Sequence, residues 1–316
     1  MKSFILNRIK QSLILLGLVS AIGFFLLHLM PGGPLSQYAQ TPGMGQEEID
    51  RISEQMGLNR PLPIQYLDWI WRLLQGDWGR SYRDGQPVLH LIAEHLGATV
   101  LLMGSALIVA IAIGAWIGIV SAVRQNSSFD TLASIAAMTA LSIPTFWFGL
   151  VGIYIFSLEL GWLPSGDMFT IGDESVLDYI HHLILPTAVL ALVNIAIWSR
   201  YMRTAVLEVI NSDFVTTARA KGVAERTVLT RHVLGNALLP IITLVGLHIP
   251  GLFSGALVTE TVFSWPGMGR LFLDSLEYRD QPVVMGILIF TAIFVIVGNL
   301  FADLVNALVD PRVRLN

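Results

Sequence analysis

Few residues in this 316-residue chain have the types and spacing that catalysis needs. Seven histidines are present and no cysteine. Two ligands share a helix face when they lie three or four residues apart. His90 and His95 are five apart, and His181 and His182 are adjacent, so neither pair converges on a metal. These histidines read as interfacial or capping groups. The missing cysteine removes thiolate ligands, disulfides and a catalytic thiol. No G-x-x-x-x-G-K-[ST] loop is present to cradle phosphates, and no H-E-x-x-H to hold zinc. Ser254-Gly255 follows Gly251-Leu252-Phe253, the wrong spacing for a Gly-x-Ser-Gly nucleophile, and no histidine is placed to serve Ser165-Gly166. What remains is a sparse polar set inside or beside long apolar stretches: Ser142, Thr145, Asn194, His248, Glu260, Asn299, Asp303 and Asn306. Such groups either bond neighbouring helices or line a wet path for a polar solute. Ser142, Asn194 and His248 are the candidates for a path, Pro144 for a kink that shapes it, and Glu260 for a gate at its outer end.

The elements that must hold these groups follow from composition. The chain is 54% hydrophobic and 13% charged, against about 25% charged in an average soluble domain. That excludes a disordered chain, a coiled coil and a basic nucleic-acid binder. A hydrocarbon core of ~30 Å needs about 20 apolar helical residues. Six stretches qualify, near 11–30, 97–123, 130–158, 182–206, 236–262 and 283–309. The first is too long for a signal-peptide core and ends in Met30-Pro31-Gly32-Gly33-Pro34 with no small-x-small cleavage site, so it reads as a retained anchor. Pro144, Pro240 and Pro250 interrupt the third and fifth. Between the first two stretches, Gln46–Met56 and Ile64–Gln75 read as amphipathic helices, the second with Leu67, Trp71 and Leu74 on one side, and Asp84-Gly85 as a tight turn. Trp69, Trp71 and Trp78 suit a headgroup level.

Orientation follows from Lys and Arg. With both termini inside, the cytoplasmic segments hold twelve of them and the outer segments seven, five of these in the long 31–96 loop. Inside, twelve bases face six acids, a balance of +6; outside, seven face seventeen, a balance of −10. The net charge of −4 therefore hides a strong asymmetry across the membrane.

The inside loop between the fourth and fifth stretches is the most informative. Ser212 or Asp213 is placed to cap a helix. Thr217, Ala218 and Ala220 keep that helix slim, and Gly222 supplies a left-handed stop. Arg219 and Lys221 offer charge to an acidic partner. A second helix with Glu225, Arg226, Arg231 and His232 leads onward. By physics alone, a docking element and a plain positive-inside loop are equally good readings.

This loop resembles the EAA loop of binding-protein-dependent ABC transporter permeases. Aligning Gly222 with the motif glycine places Thr216, Thr217 and Ala218 on the E-A-A positions, with Leu239-Pro240 at the closing Leu-Pro. Thr216 and Thr217 depart from that pattern, and Ala237 replaces its usual Ile. However, Ala218-Arg219-Ala220-Lys221-Gly222, Arg231-His232 and Asn236-Ala237-Leu238-Leu239-Pro240 are similar to the dipeptide, oligopeptide and nickel subfamily. So are Gly76-Asp77-Trp78-Gly79-Arg80-Ser81, Ser142-Ile143-Pro144-Thr145-Phe146-Trp147, Leu160-Gly161-Trp162-Leu163-Pro164, Glu260-Thr261-Val262-Phe263-Ser264-Trp265-Pro266-Gly267 and Asp310-Pro311-Arg312-Val313-Arg314.

The resemblance implies an all-α polytopic membrane protein with six transmembrane helices. Its type I (MetI-like) importer core would span 97–309, with a coupling loop at 207–235. An N-terminal anchor and extracytoplasmic subdomain would occupy 1–96, and a cytoplasmic tail 310–316. It implies a non-enzymatic permease subunit in a bacterial or archaeal inner membrane, moving di- or oligopeptides by alternating access. The partners implied are a second homologous permease, two ATPase subunits that bind the ATP and Mg, and an extracytoplasmic solute-binding protein. Membrane lipid surrounds it, no nucleic acid is involved, and no cofactor sits in this chain. Asp213, Thr217, Ala218, Arg219, Ala220, Lys221, Gly222, Glu225 and Arg226 form the implied ATPase contact. Glutathione-like compounds, nickel chelates or sugars are alternative cargoes within the same family. A stand-alone secondary transporter is opposed by the few intramembrane carboxylates and the lack of an inverted repeat.

Overall fold

The computed structural model describes residues 2–29, 45–55, 57–173 and 175–309. Residues 30–34 and 310–316, the latter with the Asp310-Pro311-Arg312-Val313-Arg314 motif, lie outside the described residues. So do the side chains of Ile49, Pro240, Asp303 and Asn306.

Helices α1 (Lys2–His28), α2 (Gln46–Gln55) and α3 (Leu62–Leu74) come first, followed by the 36-residue α4 (Val88–Val123). Next are α5 (Ser128–Ser142), α6 (Thr145–Gly152) with its π-helical extension Ile153–Glu159, and the 35-residue α7 (Val176–Ile210). The short α8 (Asp213–Ala220) and α9 (Glu225–Thr227) lead through a π-helical turn, Val228–Leu234, into α10 (Gly235–His248). A 3-10 turn, Ile249–Phe253, then α11 (Leu257–Val262), α12 (Met268–Glu277) and α13 (Gln281–Val309) complete the described chain. α2 and α3 stand where amphipathy places them. Gly57, just after α2, and Gly85, in the turn read from the sequence, both take positive φ.

Four helical segments among the described residues are long and apolar enough to cross a membrane: Asn7–His28, Val88–Val123, Val176–Ile210 and Gln281–Phe301. The third apolar stretch is not one straight helix. α5 and the α6 segment meet at 98°. The helix breaks at Pro144, whose ring pushes the preceding residue out of the helical region. Ile143 accordingly sits at φ −98°, ψ 132°, and Pro144 becomes the cap residue of α6. The fifth stretch is broken as well, into α10, the 3-10 turn at Pro250, and α11 after Gly255. The division expected at 96/97 falls inside α4, which runs unbroken across it.

α4 and α7 form the centre. One face of α4 carries Ala110, Gly114, Gly118 and Ala122, all buried. The absence of side chains at the two glycines lets the backbones close up. A Cβ on Gly118 would sit 2.5 Å from the Ser199 carbonyl oxygen and 2.7 Å from Met202 Cβ, and one on Gly114 would sit 2.7 Å from Trp198 Cβ. With little hydrophobic drive between helices in lipid, this close packing is what holds such a pair. Trp198, Met202, Val206, Val215, Val228, Val233 and Ile241 continue the same core towards α8 and α10.

Gly118→Leu therefore has no room and forces α4 from α7, at a cost of roughly 1–3 kcal/mol or more. Thermal unfolding in detergent will show a lower midpoint or no folded protein. Gly104→Leu, where a Cβ meets nothing within 4 Å, will unfold like the parent.

Candidate functional site

α8 is built as the sequence indicates at its C-terminus and differently at its start. Gly222 has φ +76°, and its N–H donates to Arg219 O while Val223 N–H donates to Ala218 O. These two bonds close the helix with a left-handed residue. At the other end, Ser212 occupies the cap position, but its hydroxyl donates to Val209 O at 2.6 Å rather than accepting from α8. The Ser212 carbonyl receives Val215 and Thr216 N–H instead.

The helix has an inner and an outer face. Val215 and Ala218 are buried in the core with Val228 and Val233. Ala218, expected to face a partner, is thus used inside the chain: its small side chain lets α8 lie on the helices beneath. Asp213, Phe214, Thr217, Arg219, Ala220, Lys221, Gly222 and Arg226 are exposed. Phe214, an apolar ring standing in the open beside these polar groups, was not singled out by sequence reasoning. Thr217 Oγ1 donates to Asp213 O at 2.8 Å, so this hydroxyl serves its own helix.

Arg219 is already paired. Its Nε and an Nη donate to the two Glu225 carboxylate oxygens at 3.1 and 2.7 Å, joining the end of α8 to the start of α9. Those bonds hold the Glu225 carboxyl below the usual glutamate range and raise the Arg219 guanidinium. The pair is present above the lowered Glu225 value and is lost as pH falls through it.

A second ion pair, between a buried carboxylate and a half-buried guanidinium, is announced by no local pattern, because its members are 73 residues apart. Arg203 on α7 grips Asp130 with two bonds of 2.7 and 2.8 Å. Asp130 also accepts Asn126 N–H. The α4–α5 turn is thereby fastened to α7, about three turns before α8 begins. Removing Arg203 leaves the buried Asp130 carboxylate without its charge partner, at a cost of roughly 1–3 kcal/mol.

At the opposite end of the bundle, Glu260 is wholly buried. Its Oε1 accepts the Thr99 hydroxyl at 2.9 Å and Ala256 N–H at 3.1 Å; its Oε2 accepts Gly269 and Arg270 N–H at 2.7 and 3.1 Å. The last two are free N–H groups of the first turn of α12, which favour a negative charge. Trp265 Nε1 donates to Ala98 O beside it, and Met268 N–H to Thr99 Oγ1. Glu260 is thus an internal clamp between α4, α11 and α12.

The other candidates are scattered. Ser142 donates to Met138 O in its own helix, and Asn194 donates to Leu190 O in its own. His248 is exposed at the end of α10, its ring 5.1 Å from that of Trp198. His181 and His182 donate to the carbonyls of Trp162 and Gly166, and His95 to Leu91 O. No group of three or more His, Asp or Glu converges as a metal site among the described residues.

Long apolar helices packed around a glycine-lined α4–α7 contact, with α8 partly exposed at one end, define a membrane-spanning protein. Comparison with known proteins specifies the class. Residues 110–315 match the profile of the binding-protein-dependent transport system inner membrane component, and residues 1–103 match the N-terminal profile of the same membrane components. The chain is 43% identical over 317 residues to an oligopeptide transport system permease protein of Bacillus subtilis, covering 99% of this chain and all of the relative. It is 43% identical over 318 residues, all of both chains, to a putative peptide permease protein of Brucella suis. It is 39% identical over 321 residues to a dipeptide transport system permease protein of Alkalihalophilus pseudofirmus, covering 95% and 96% of the two chains. The chain belongs to the family of binding-protein-dependent transport system inner membrane components.

Two outcomes test these assignments. Carboxyl NMR of Glu225 will titrate below an ordinary glutamate, and Arg219→Gln will return it to the ordinary range. Glu260→Gln places an amide N–H₂ among N–H donors and leaves buried groups unpaired, costing about 2–4 kcal/mol. Thermal unfolding will show this as a lower midpoint, with Glu260→Ala lower than the parent as well.

Proposed function

We propose that this chain is a permease subunit of an ATP-driven ABC importer for peptides, with six membrane crossings and both termini in the cytoplasm. The bent α5–α6 segment and the broken α10–α11 segment serve as the third and fifth crossings, breaks that a membrane protein tolerates where neighbours or water satisfy the backbone. The peptide cargo rests on relatives named for peptide, oligopeptide and dipeptide transport. The same machinery with another solute is the second reading, since a separate binding protein selects the cargo first.

The observation that carries the mechanism is α8. It stands at the end of α7, its exposed side is ready for a partner, and Val215 and Ala218 seat its inner side in the core that also holds α4, α7 and α10. In this reading it docks on an ATPase subunit through Asp213, Thr217, Arg219, Ala220, Lys221, Gly222 and Arg226. Nucleotide-driven motion then enters α7 and α10 directly. ATP and Mg are bound by two such ATPase subunits, not by this chain. A second, homologous permease completes the path, and an extracytoplasmic binding protein delivers the solute. The Pro144 corner, Ser142, Asn194 and His248 belong to the path, while Glu260 acts on it by holding α11 and α12 in place.

Gly222→Val tests the docking role. A Cβ there meets no atom within 4 Å, so the strain is confined to a β-branched residue at positive φ. The assembled complex will insert normally, yet substrate will no longer stimulate ATP hydrolysis and uptake will fall. Parent-level stimulated hydrolysis together with parent-level uptake would sink this assignment.

A further inference from the structure

α3 has three faces with different surroundings. One packs on α1: the Tyr66 and Trp69 rings lie 5.4 and 6.1 Å from Phe24, the Tyr66 hydroxyl is 2.8 Å from the Ser20 hydroxyl, and Gln65 meets His28. A second, with Gln65, Asp68 and Arg72, borders a cavity of about 540 Å³ shared with the 77–82 loop. The third carries Ile64, Leu67, Trp71 and Leu74, spaced to form one stripe. Nothing among the described residues covers it, and these residues are 45, 64, 64 and 76% exposed.

The anchoring on α1 sets the depth of this stripe. The apolar segment Asn7–His28 has 22 residues, about 33 Å of helix, which matches one hydrocarbon core. α3 is fastened level with Phe24 and His28, and the Tyr66 hydroxyl reaches Ser20, about 12 Å along the helix before His28. Only 11% of the residues in the apolar stretch of α1 are buried, and Phe25, whose ring lies 5.9 Å from that of Tyr66, is exposed. α3 is thereby held at membrane depth, with the uncovered stripe on the side turned away from α1. Its four residues include no charge, whereas Asp68 and Arg72 occupy the other side.

We propose that α3 is an interfacial helix whose Ile64, Leu67, Trp71 and Leu74 stripe is seated in the lipid leaflet at the His28 end of α1. Lipid is the occupant that fits: the stripe is apolar along its length, includes a tryptophan suited to the headgroup boundary, and belongs to a helix fastened to a membrane-spanning segment. An apolar face of this kind sinks ~5–10 Å into that boundary. Segment 62–74 is then a second anchor for the N-terminal region, not part of a water-surrounded domain.

The chain has no cysteine, so single cysteines can be spin-labelled without background. Leu67→Cys, Trp71→Cys and Leu74→Cys, with Asp68→Cys and Arg72→Cys as references, are measured in the complete transporter in lipid nanodiscs. The expected ratio of oxygen to nickel-chelate accessibility is roughly fivefold higher at the three stripe positions than at the references, as for an interfacial helix. Nickel-chelate access equal to that of the references would place the stripe in water. Low access to both reagents would assign it to a partner subunit. Either result overturns the proposal, and if Trp71→Cys does not accumulate, Leu67→Cys and Leu74→Cys decide it.

Discussion

A fully buried carboxylate must find its hydrogen bonds within the protein, and Glu260 finds four. Everything around α12 depends on this. Thr99 passes the link to α4 and receives Met268 N–H, while Trp265 lays its ring against Ala98. At the far end of α12 a second buried acid does the same work. Asp280 accepts the Ser81 hydroxyl and Tyr82 N–H, binding the 76–81 segment to the corner before α13. Two of the sequence motifs, one around Gly76–Ser81 and one from Glu260 to Gly267, therefore meet at opposite ends of one ten-residue helix. Their residue types make sense as its clamps.

Sequence reasoning recovered what local rules govern. Hydropathy located every long apolar helix, amphipathy located α2 and α3, and Gly222 marked the end of α8 because only a residue free at positive φ fits that closure. It missed what depends on distance along the chain. Asp130 and Arg203 carry no local sign of their pairing, and Glu260 looks like a lone acid near a span end until α12 folds back over it. Pro144 was visible as a breaker, but a proline dictates only that its predecessor leaves the helix. The 98° corner comes from how α5 and α6 then pack. Ala218 shows the same limit: its smallness was read correctly, but the neighbour that needs it small is inside the chain.

The charges also sort differently once contacts are known. Counting Lys and Arg gave an orientation, yet two prominent bases have partners within this protein, Arg203 with Asp130 and Arg219 with Glu225. In α8 this leaves Lys221 and an exposed aromatic, Phe214, beside a neutralised arginine. The exposed face of α8 thus offers apolar surface as well as charge.

The glycine contact between α4 and α7 has one more consequence. α7 is 35 residues long, about 52 Å at 1.5 Å per residue, and its two ends touch different parts of the molecule. One end gives way to α8. At the other, Asp178 accepts Thr170 N–H and hydroxyl, and His182 holds Gly166, so the 160–173 loop is pinned to it. α4 is locked against residues 195–203 of α7, so this is the stiff part of the helix. Pro186, inside the same helix and close to the pinned loop, lacks an N–H for the helical ladder and is where α7 can bend.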